Sequence, residues 1–149
     1  MEKCICVCFG HRNIWKDVDE LRNILEDLII NENVTIFMTG GMGEFDSIFS
    51  SNVRSLKKQY KNIKLWLVKP YFSAELNSNK NYYESQYDEI IIPDVVAGIY
   101  PKAAITKRNR WMVEQSDIII SYINKEYGGA YMAVKYAKSL GKRIISVTK

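Results

Sequence analysis

The stretch VTIFMTGGMGEFDSIF, residues 34–49, joins the two patterns that decide the fold. Val34–Met38 is a short and almost wholly apolar run, which predicts a strand that is buried on both sides. From Phe45 onward apolar residues recur at helical spacing, and three glycines lie between the two elements. Such a glycine cluster is either a plain tight turn or a place where backbone N–H groups approach a ligand that side chains would block.

The rest of the chain repeats this alternation of short apolar runs and amphipathic segments. Residues 71–100 are less regular, and for them we predict a weak helix, a short strand at Glu89–Ile92 and a long connection. The other predicted strands are Cys4–Phe9, Val34–Met38, Ile63–Val68, Asp117–Ile123 and Arg143–Val147. The predicted helices are Asp17–Ile30, Phe45–Tyr60, Lys102–Gln115 and Gly129–Ser139. This order predicts a single α/β domain over residues 1–149, a doubly wound and mainly parallel sheet of about five strands with helices on both faces.

The composition narrows the classes of function. A chain of 149 residues that is 47% hydrophobic can bury a substantial core as one domain. Its net charge of +4 comes from basic and acidic residues that are mixed along the chain, which makes nucleic acid an unlikely partner. No stretch approaches membrane-spanning length or forms a signal-peptide core, so we expect a cytoplasmic protein without a membrane partner.

The three cysteines alternate along the first predicted strand, at Cys4, Cys6 and Cys8. Alternation places their thiols on one face, too close in sequence to bridge each other comfortably. A metal site would need a second group of ligands, and His11 is the only histidine. We therefore expect buried thiols in a reducing compartment, with no metal site and no cofactor.

Glycines follow three of the predicted strands, at the ends where doubly wound sheets bind their ligands. These junctions read Gly10-His11-Arg12, Thr39-Gly40-Gly41-Met42-Gly43-Glu44 and Tyr127-Gly128-Gly129. Backbone N–H groups at the start of a helix favour a phosphate or a carboxylate, and Arg12, Arg108 and Arg110 are candidates for the pairing charge. Neither G-x-G-x-x-G nor G-x-x-x-x-G-K-[ST] occurs, so neither a nicotinamide-binding domain nor a P-loop ATPase is indicated.

Several of these residues also have a purely structural interpretation. His11 is either a ligand contact or a loop hydrogen-bonding residue. Glu44 and Asp46 either contact the ligand or act as favourable charges in the first turn of a helix. Tyrosines such as Tyr82, Tyr83, Tyr87 and Tyr100 form either a packed lid or an oligomer contact, with base stacking as a third alternative.

Four blocks, taken in order, resemble the SLOG superfamily. They are GHR after the first strand, GGMGEFD after the second, KRNRWMVEQSDIIISY, and GGAYMAVKYAKSLGKRIISV. This Rossmann-like superfamily includes the DNA-processing protein DprA, the LONELY GUY phosphoribohydrolases and small YspA/YpsA-type proteins. The chain is most similar to the last group, and the similarity spans essentially its whole length.

The resemblance implies a nucleotide-derived ligand, such as an ADP-ribose-type molecule, above the glycine junctions. It implies that Arg108 occupies the place of the catalytic arginine of the phosphoribohydrolases. The predicted ligand-binding residues are Gly10, His11, Arg12, Gly40, Gly41, Gly43, Glu44, Asp46, Arg108, Gly128 and Gly129. We expect the glycines at 40, 41 and 43 to wrap the start of the helix around an anionic part of the ligand.

The sequence departs from the hydrolase branch, which carries P-G-G-x-G-T-x-x-E. Here the run is Y-G-G-A-Y-M-A-V and continues with Lys135, so the glutamate that serves as the general acid/base is absent from its place. We therefore predict a protein that senses or sequesters a nucleotide-derived signal, of ADP-ribose or cyclic nucleotide type, in phage–host defence, and a homo-oligomer. The alternative is a nucleoside or nucleotide N-glycosidase that uses Glu44 or Asp46 with Arg108. Single-stranded DNA binding, by analogy with DprA, is a third hypothesis.

Overall fold

Largely apolar segments form a six-stranded sheet in the computed structural model, which describes residues 4–11 and 20–147. The strands are β1 (Cys4–Gly10), β2 (Val34–Thr39), β3 (Lys64–Val68), β4 (Glu89–Ile91), β5 (Ile118–Tyr122) and β6 (Arg143–Ser146). The helices are α1 (Glu20–Glu32), α2 (Glu44–Lys57), α3 (Ala74–Ser78), α4 (Lys80–Gln86), α5 (Pro101–Gln115) and α6 (Gly129–Ser139), with a 3₁₀ turn at Asp94–Val96.

The strand order creates a switch point in the middle of the sheet. The order is β4-β3-β2-β1-β5-β6, and every neighbouring pair is parallel. The chain builds outward from β1 to β4 on one side and then returns to place β5 on the other side of β1. The connections that leave β1 and β5 therefore diverge, and they open a crevice at the carboxyl ends of these two strands.

Two hydrophobic layers cover the two faces of the sheet. On one face Cys6 and Cys8 of β1 pack with α1 and α2, through residues such as Leu25 and Phe49. On the other face Val7 packs with α5 and α6. Alternation along β1 thus sends successive side chains into opposite layers. The thiols of Cys4, Cys6 and Cys8 are all free and belong to one layer, as their spacing predicts.

The predicted fold class is confirmed, and the element boundaries differ by a few residues. The sheet has six strands because the short run Glu89–Ile91 pairs with β3. The irregular region contains two short helices rather than one. Helix α2 ends at Lys57 instead of Tyr60, and α5 begins at Pro101, a residue whose fixed φ suits a first helical position. Asp17, the predicted start of the first helix, lies outside the described residues. No helix within the two described ranges is both long and apolar enough to cross a membrane.

The carboxyl end of β1 lies very close to the first turn of α2. A Cβ atom on Gly10 would lie 2.3 Å from Cδ2 and 2.6 Å from Cβ of Phe45, whose ring is fully buried. The Phe45 ring also packs against Tyr122 of β5, with 5.6 Å between ring centroids. The absence of a side chain at Gly10 therefore allows α2 to start beside the switch point.

We expect Gly10→Ala to destabilise the fold by about 1–3 kcal/mol, because the added methyl group overpacks a contact that only a shift of α2 can relieve. Urea unfolding followed by circular dichroism measures this change. Gly129→Ala is the matched control, since a Cβ there would have its nearest described neighbour, Asn109 Nδ2, at 3.7 Å. Equal stability of Gly10→Ala and the parent protein would contradict the close approach of α2 to β1.

Candidate functional site

A cleft of about 430 Å³ opens at the switch point. Its walls come from the end of β1, the β2–α2 connection, helix α5 and the segment that joins β5 to α6. The lining residues are Cys8, Phe9, Gly10, His11, Gly40, Met42, Asp46, Ile105, Arg108, Asn109, Lys125, Tyr127, Gly128, Gly129 and Ala130. Its volume lies in the range of small-molecule sites, which is about 300–1,000 Å³.

Arg108 of α5 crosses the floor of this cleft and is only 3% exposed. Its Nη1 donates hydrogen bonds to the carbonyl oxygens of Val68, at 2.7 Å, and Gly40, at 3.4 Å. Its Nε donates to Asn109 Oδ1 at 2.8 Å, and its Nη2 contacts the weakly accepting Met42 sulfur at 3.4 Å. The guanidinium thus ties the ends of β2 and β3 to α5, and Nη2 makes only a weak contact.

The charge of Arg108 is not balanced by an ion pair. Burial lowers the pKa of Arg108 to about 10, against the opposing effect of the Asp46 carboxylate in the same cleft, so the guanidinium remains protonated at neutral pH. No carboxylate within residues 4–11 and 20–147 forms a salt bridge with it. The nearby Lys69 ammonium is half-buried, and desolvation, with a smaller contribution from Arg108, lowers the pKa of Lys69. A buried cation without an ion-pair partner is costly, and an anion in the cleft would offset that cost.

Asp46 is the acidic residue of the cleft, and it is 7% exposed. Its Oδ2 accepts a hydrogen bond from the Met42 N–H at 2.9 Å, and its Oδ1 accepts one from the Cys8 thiol at 3.5 Å. Burial raises the pKa of Asp46 to about 6, against the opposing effects of these two donors and of Arg108. Asp46 therefore stabilises the start of α2 and also presents a carboxyl group that titrates near neutral pH.

His11 joins the end of β1 to the segment that precedes α6. Its backbone N–H donates to the Tyr122 carbonyl, and its Nε2 accepts the Lys125 N–H, both at 3.2 Å. Acceptance at Nε2 requires the neutral ring with its proton on Nδ1. Burial lowers the pKa of His11 and favours this neutral form. His11 therefore makes a hydrogen bond to a loop, as one of the two interpretations of its sequence position predicts. It also lines the cleft.

The surroundings of the two glycine pairs differ. A Cβ on Gly40 would lie 2.9 Å from Arg108 Nη1, and one on Gly41 would lie 2.6 Å from Leu67 Cδ1. Gly41 also has a φ of +68°, which side chains resist. By contrast, apart from its two neighbours in the chain, no described residue comes within 4 Å of a Cβ built on Gly128. Packing favours glycine at the first pair. At the second pair the φ of +98° favours glycine at Gly128, and the space beside the start of α6 is open.

The cleft contains most, but not all, of the predicted ligand-binding residues. Gly41, Gly43 and Glu44 lie outside its lining, and Arg12 lies outside the described residues. Arg110 is also elsewhere, with its guanidinium 5.1 Å from the centroid of the Tyr136 ring. The predicted residues that do line the cleft are Gly10, His11, Gly40, Asp46, Arg108, Gly128 and Gly129.

Sequence reasoning missed Asn109, Lys125 and Tyr127 as residues of the cleft. Lys125 and Tyr127 lie three positions and one position before Gly128. Their place after the end of a strand could have identified them as cleft residues. Asn109 follows Arg108 in the chain and accepts a hydrogen bond from its guanidinium. No pattern of residue types in the sequence indicates this contact.

Comparisons with known proteins agree on the fold. The model of the YspA SLOG family matches residues 14–144. The uncharacterized SPbeta prophage-derived protein YoqJ of Bacillus subtilis (strain 168) is 28% identical over 138 residues, covering 80% of this chain and 79% of YoqJ.

Two solved structures of DNA processing protein A resemble the fold. The protein from Streptococcus pneumoniae (DprA) has a TM-score of 0.69 at 15% identity, covering 97% of this chain and 50% of that protein. The one from Helicobacter pylori, described for its single-stranded DNA binding mode, has a TM-score of 0.66 at 18% identity, covering 96% and 64%. This chain therefore spans between half and two thirds of the length of those proteins.

The raised pKa of Asp46 predicts a pH-dependent stability. The folded-state pKa of about 6 exceeds the ordinary value of 3.8, so the proton binds more tightly in the folded protein. The resulting stabilisation is fully present below the ordinary pKa and is lost as the pH rises through 6. Between pH 4.5 and 8 the free energy of unfolding of the parent protein should fall by about 2 kcal/mol relative to that of Asp46→Asn. This variant keeps a side-chain oxygen that accepts the Met42 N–H, but it carries no charge.

Urea unfolding of the parent and the variant at a series of pH values measures this difference. Glu44→Gln is the matched control, because it removes an exposed carboxylate from the same helical turn. If the difference in free energy of unfolding between the parent and Asp46→Asn stays constant across this range, the pKa of Asp46 is not raised by folding.

Proposed function

The chain belongs to the YspA SLOG family, and from this premise we propose that it binds a nucleotide-derived small molecule in the cleft between β1 and β5. The observation that carries the proposal is the Arg108 guanidinium, which is buried, charged and without an ion-paired carboxylate in the described part of the chain. A phosphate group in the cleft would supply a direct ion-pair partner, which the more distant charge of Asp46 does not provide.

The start of α6 supports the same ligand class. Gly128, Gly129 and Ala130 line the cleft, and none of them has a bulky side chain that would block a bound group. Free N–H groups at a helix N-terminus attract anions, and Lys125 adds a positive charge beside them. A ligand of ADP-ribose or cyclic nucleotide type has the anionic groups that this end of the cleft favours.

We propose that the protein senses or sequesters this molecule rather than consuming it. Lys135, which stands where the phosphoribohydrolases carry their glutamate, is exposed and supplies no carboxyl group. The prophage origin given for YoqJ supports a role in phage–host defence. Exposed rings such as those of Phe72, Tyr82 and Tyr100 support the homo-oligomer that we expect.

One observation favours the enzyme as a second candidate. Asp46 is a cleft carboxyl with a pKa of about 6, a value suited to general acid/base catalysis near neutral pH. An N-glycosidase would use it to assist departure of the base, with Arg108 holding the phosphate. Incubation with AMP or ADP-ribose followed by chromatography distinguishes the two: intact ligand supports binding, and free adenine supports catalysis.

We expect Arg108→Gln to weaken AMP or ADP-ribose binding by at least tenfold in calorimetric titrations, because it removes the buried charge. Since Arg108 also holds two backbone carbonyls, Lys125→Gln provides a second variant that keeps the Lys125 N–H bond to His11. It should weaken binding several-fold with the fold intact.

Arg110→Gln is the matched control for these titrations. It removes one positive charge from the same helix, but from a side chain that contacts Tyr136 outside the cleft. Equal affinities of the parent, Arg108→Gln and Lys125→Gln would refute the proposed site. Single-stranded DNA binding that persists at 200 mM salt would instead favour a role like that given for the Helicobacter pylori protein.

A further inference from the structure

Tyr127 is the one strongly exposed aromatic residue among the described residues that line the cleft. Tyr127 is 67% exposed, whereas Phe9, which also lines the cleft, is 6% exposed and belongs to the core. The Lys125 ammonium lies 5.7 Å from the centroid of the Tyr127 ring. Most of the ring surface is therefore open at the mouth of the cleft.

The position of Tyr127 in the chain places it beside the anion-attracting end of α6. It precedes Gly129, the first residue of α6, by two positions, so their Cα atoms are at most about 7.6 Å apart. Gly128 stands between them with a φ of +98°, and apart from its two neighbours in the chain no described residue comes within 4 Å of where its Cβ would be. A ligand whose phosphate sits at the start of α6 thus has its remaining atoms next to an open aromatic ring.

We propose that Tyr127 stacks on the base of the bound nucleotide and so selects ligands that carry an aromatic ring. The inference rests on the proposed function, and it specifies the ligand class: a base-bearing nucleotide rather than a sugar phosphate. An aromatic side chain stacks on the flat face of any base. This contact therefore favours ligands that carry a base over ligands that lack one, but it does not distinguish one base from another. The Lys125 ammonium near the Tyr127 ring places a positive charge beside the proposed position of the base.

Titrations of three ligands into three proteins test this contact. The ligands are AMP, ADP-ribose and ribose 5-phosphate, and the last has a hydroxyl group at C1 where AMP has its base. The proteins are the parent, Tyr127→Phe and Tyr127→Ser. Because Tyr127 is exposed, both variants should fold like the parent, which circular dichroism checks.

We expect Tyr127→Ser to weaken binding of the base-bearing ligands by roughly tenfold, the size of effect that base–aromatic stacking gives, and binding of ribose 5-phosphate by less than about twofold. Tyr127→Phe should bind all three ligands like the parent, since it keeps the ring. An equal loss for all three ligands, or no loss for any, would overturn the stacking while leaving the proposed function intact. A parent protein that binds none of the three would overturn both.

Discussion

The contact on which the cleft depends is that of the Arg108 guanidinium with backbone carbonyls. The carboxyl ends of parallel strands present carbonyl oxygens that no neighbouring strand satisfies, and a buried donor must satisfy them. Arg108 does this for Val68 and Gly40, at the ends of β3 and β2, from a helix on the other side of the cleft. One side chain therefore helps the core packing of α5 to hold this helix against the sheet, and it also provides the positive charge at the cleft floor.

This arrangement explains why the glycines of the β2–α2 connection cannot be understood from ligand binding alone. Gly40 leaves room for the guanidinium, and Gly41 leaves room for Leu67. At the other junction, Gly128 has no such neighbour, and its open space faces the cleft. The same sequence signal, a glycine pair at the end of a strand, thus has a packing cause in one place and leaves a free surface in the other.

The sequence was sufficient for the fold class and for the location of the cleft, because both depend on patterns of residue type. Apolar runs separated by amphipathic helices predict parallel strands, and the glycines after β1, β2 and β5 mark their carboxyl ends. It was not sufficient for the partners of individual side chains. The hydrogen bonds of Arg108 to Val68 and of His11 to Lys125 join residues 40 and 114 positions apart, and no local pattern encodes them.

Everything proposed for this molecule depends on the binding of an anionic nucleotide in the cleft at the switch point, through Arg108 and the start of α6. Hydrogen exchange measured by mass spectrometry, with and without saturating ADP-ribose, tests it most directly. Binding in this cleft should slow exchange in peptides that cover residues 40–46, 105–110 and 125–130, and it should leave exchange unchanged in those covering 20–32 and 74–86. Unchanged exchange throughout, or protection confined to a surface away from β1 and β5, would contradict it.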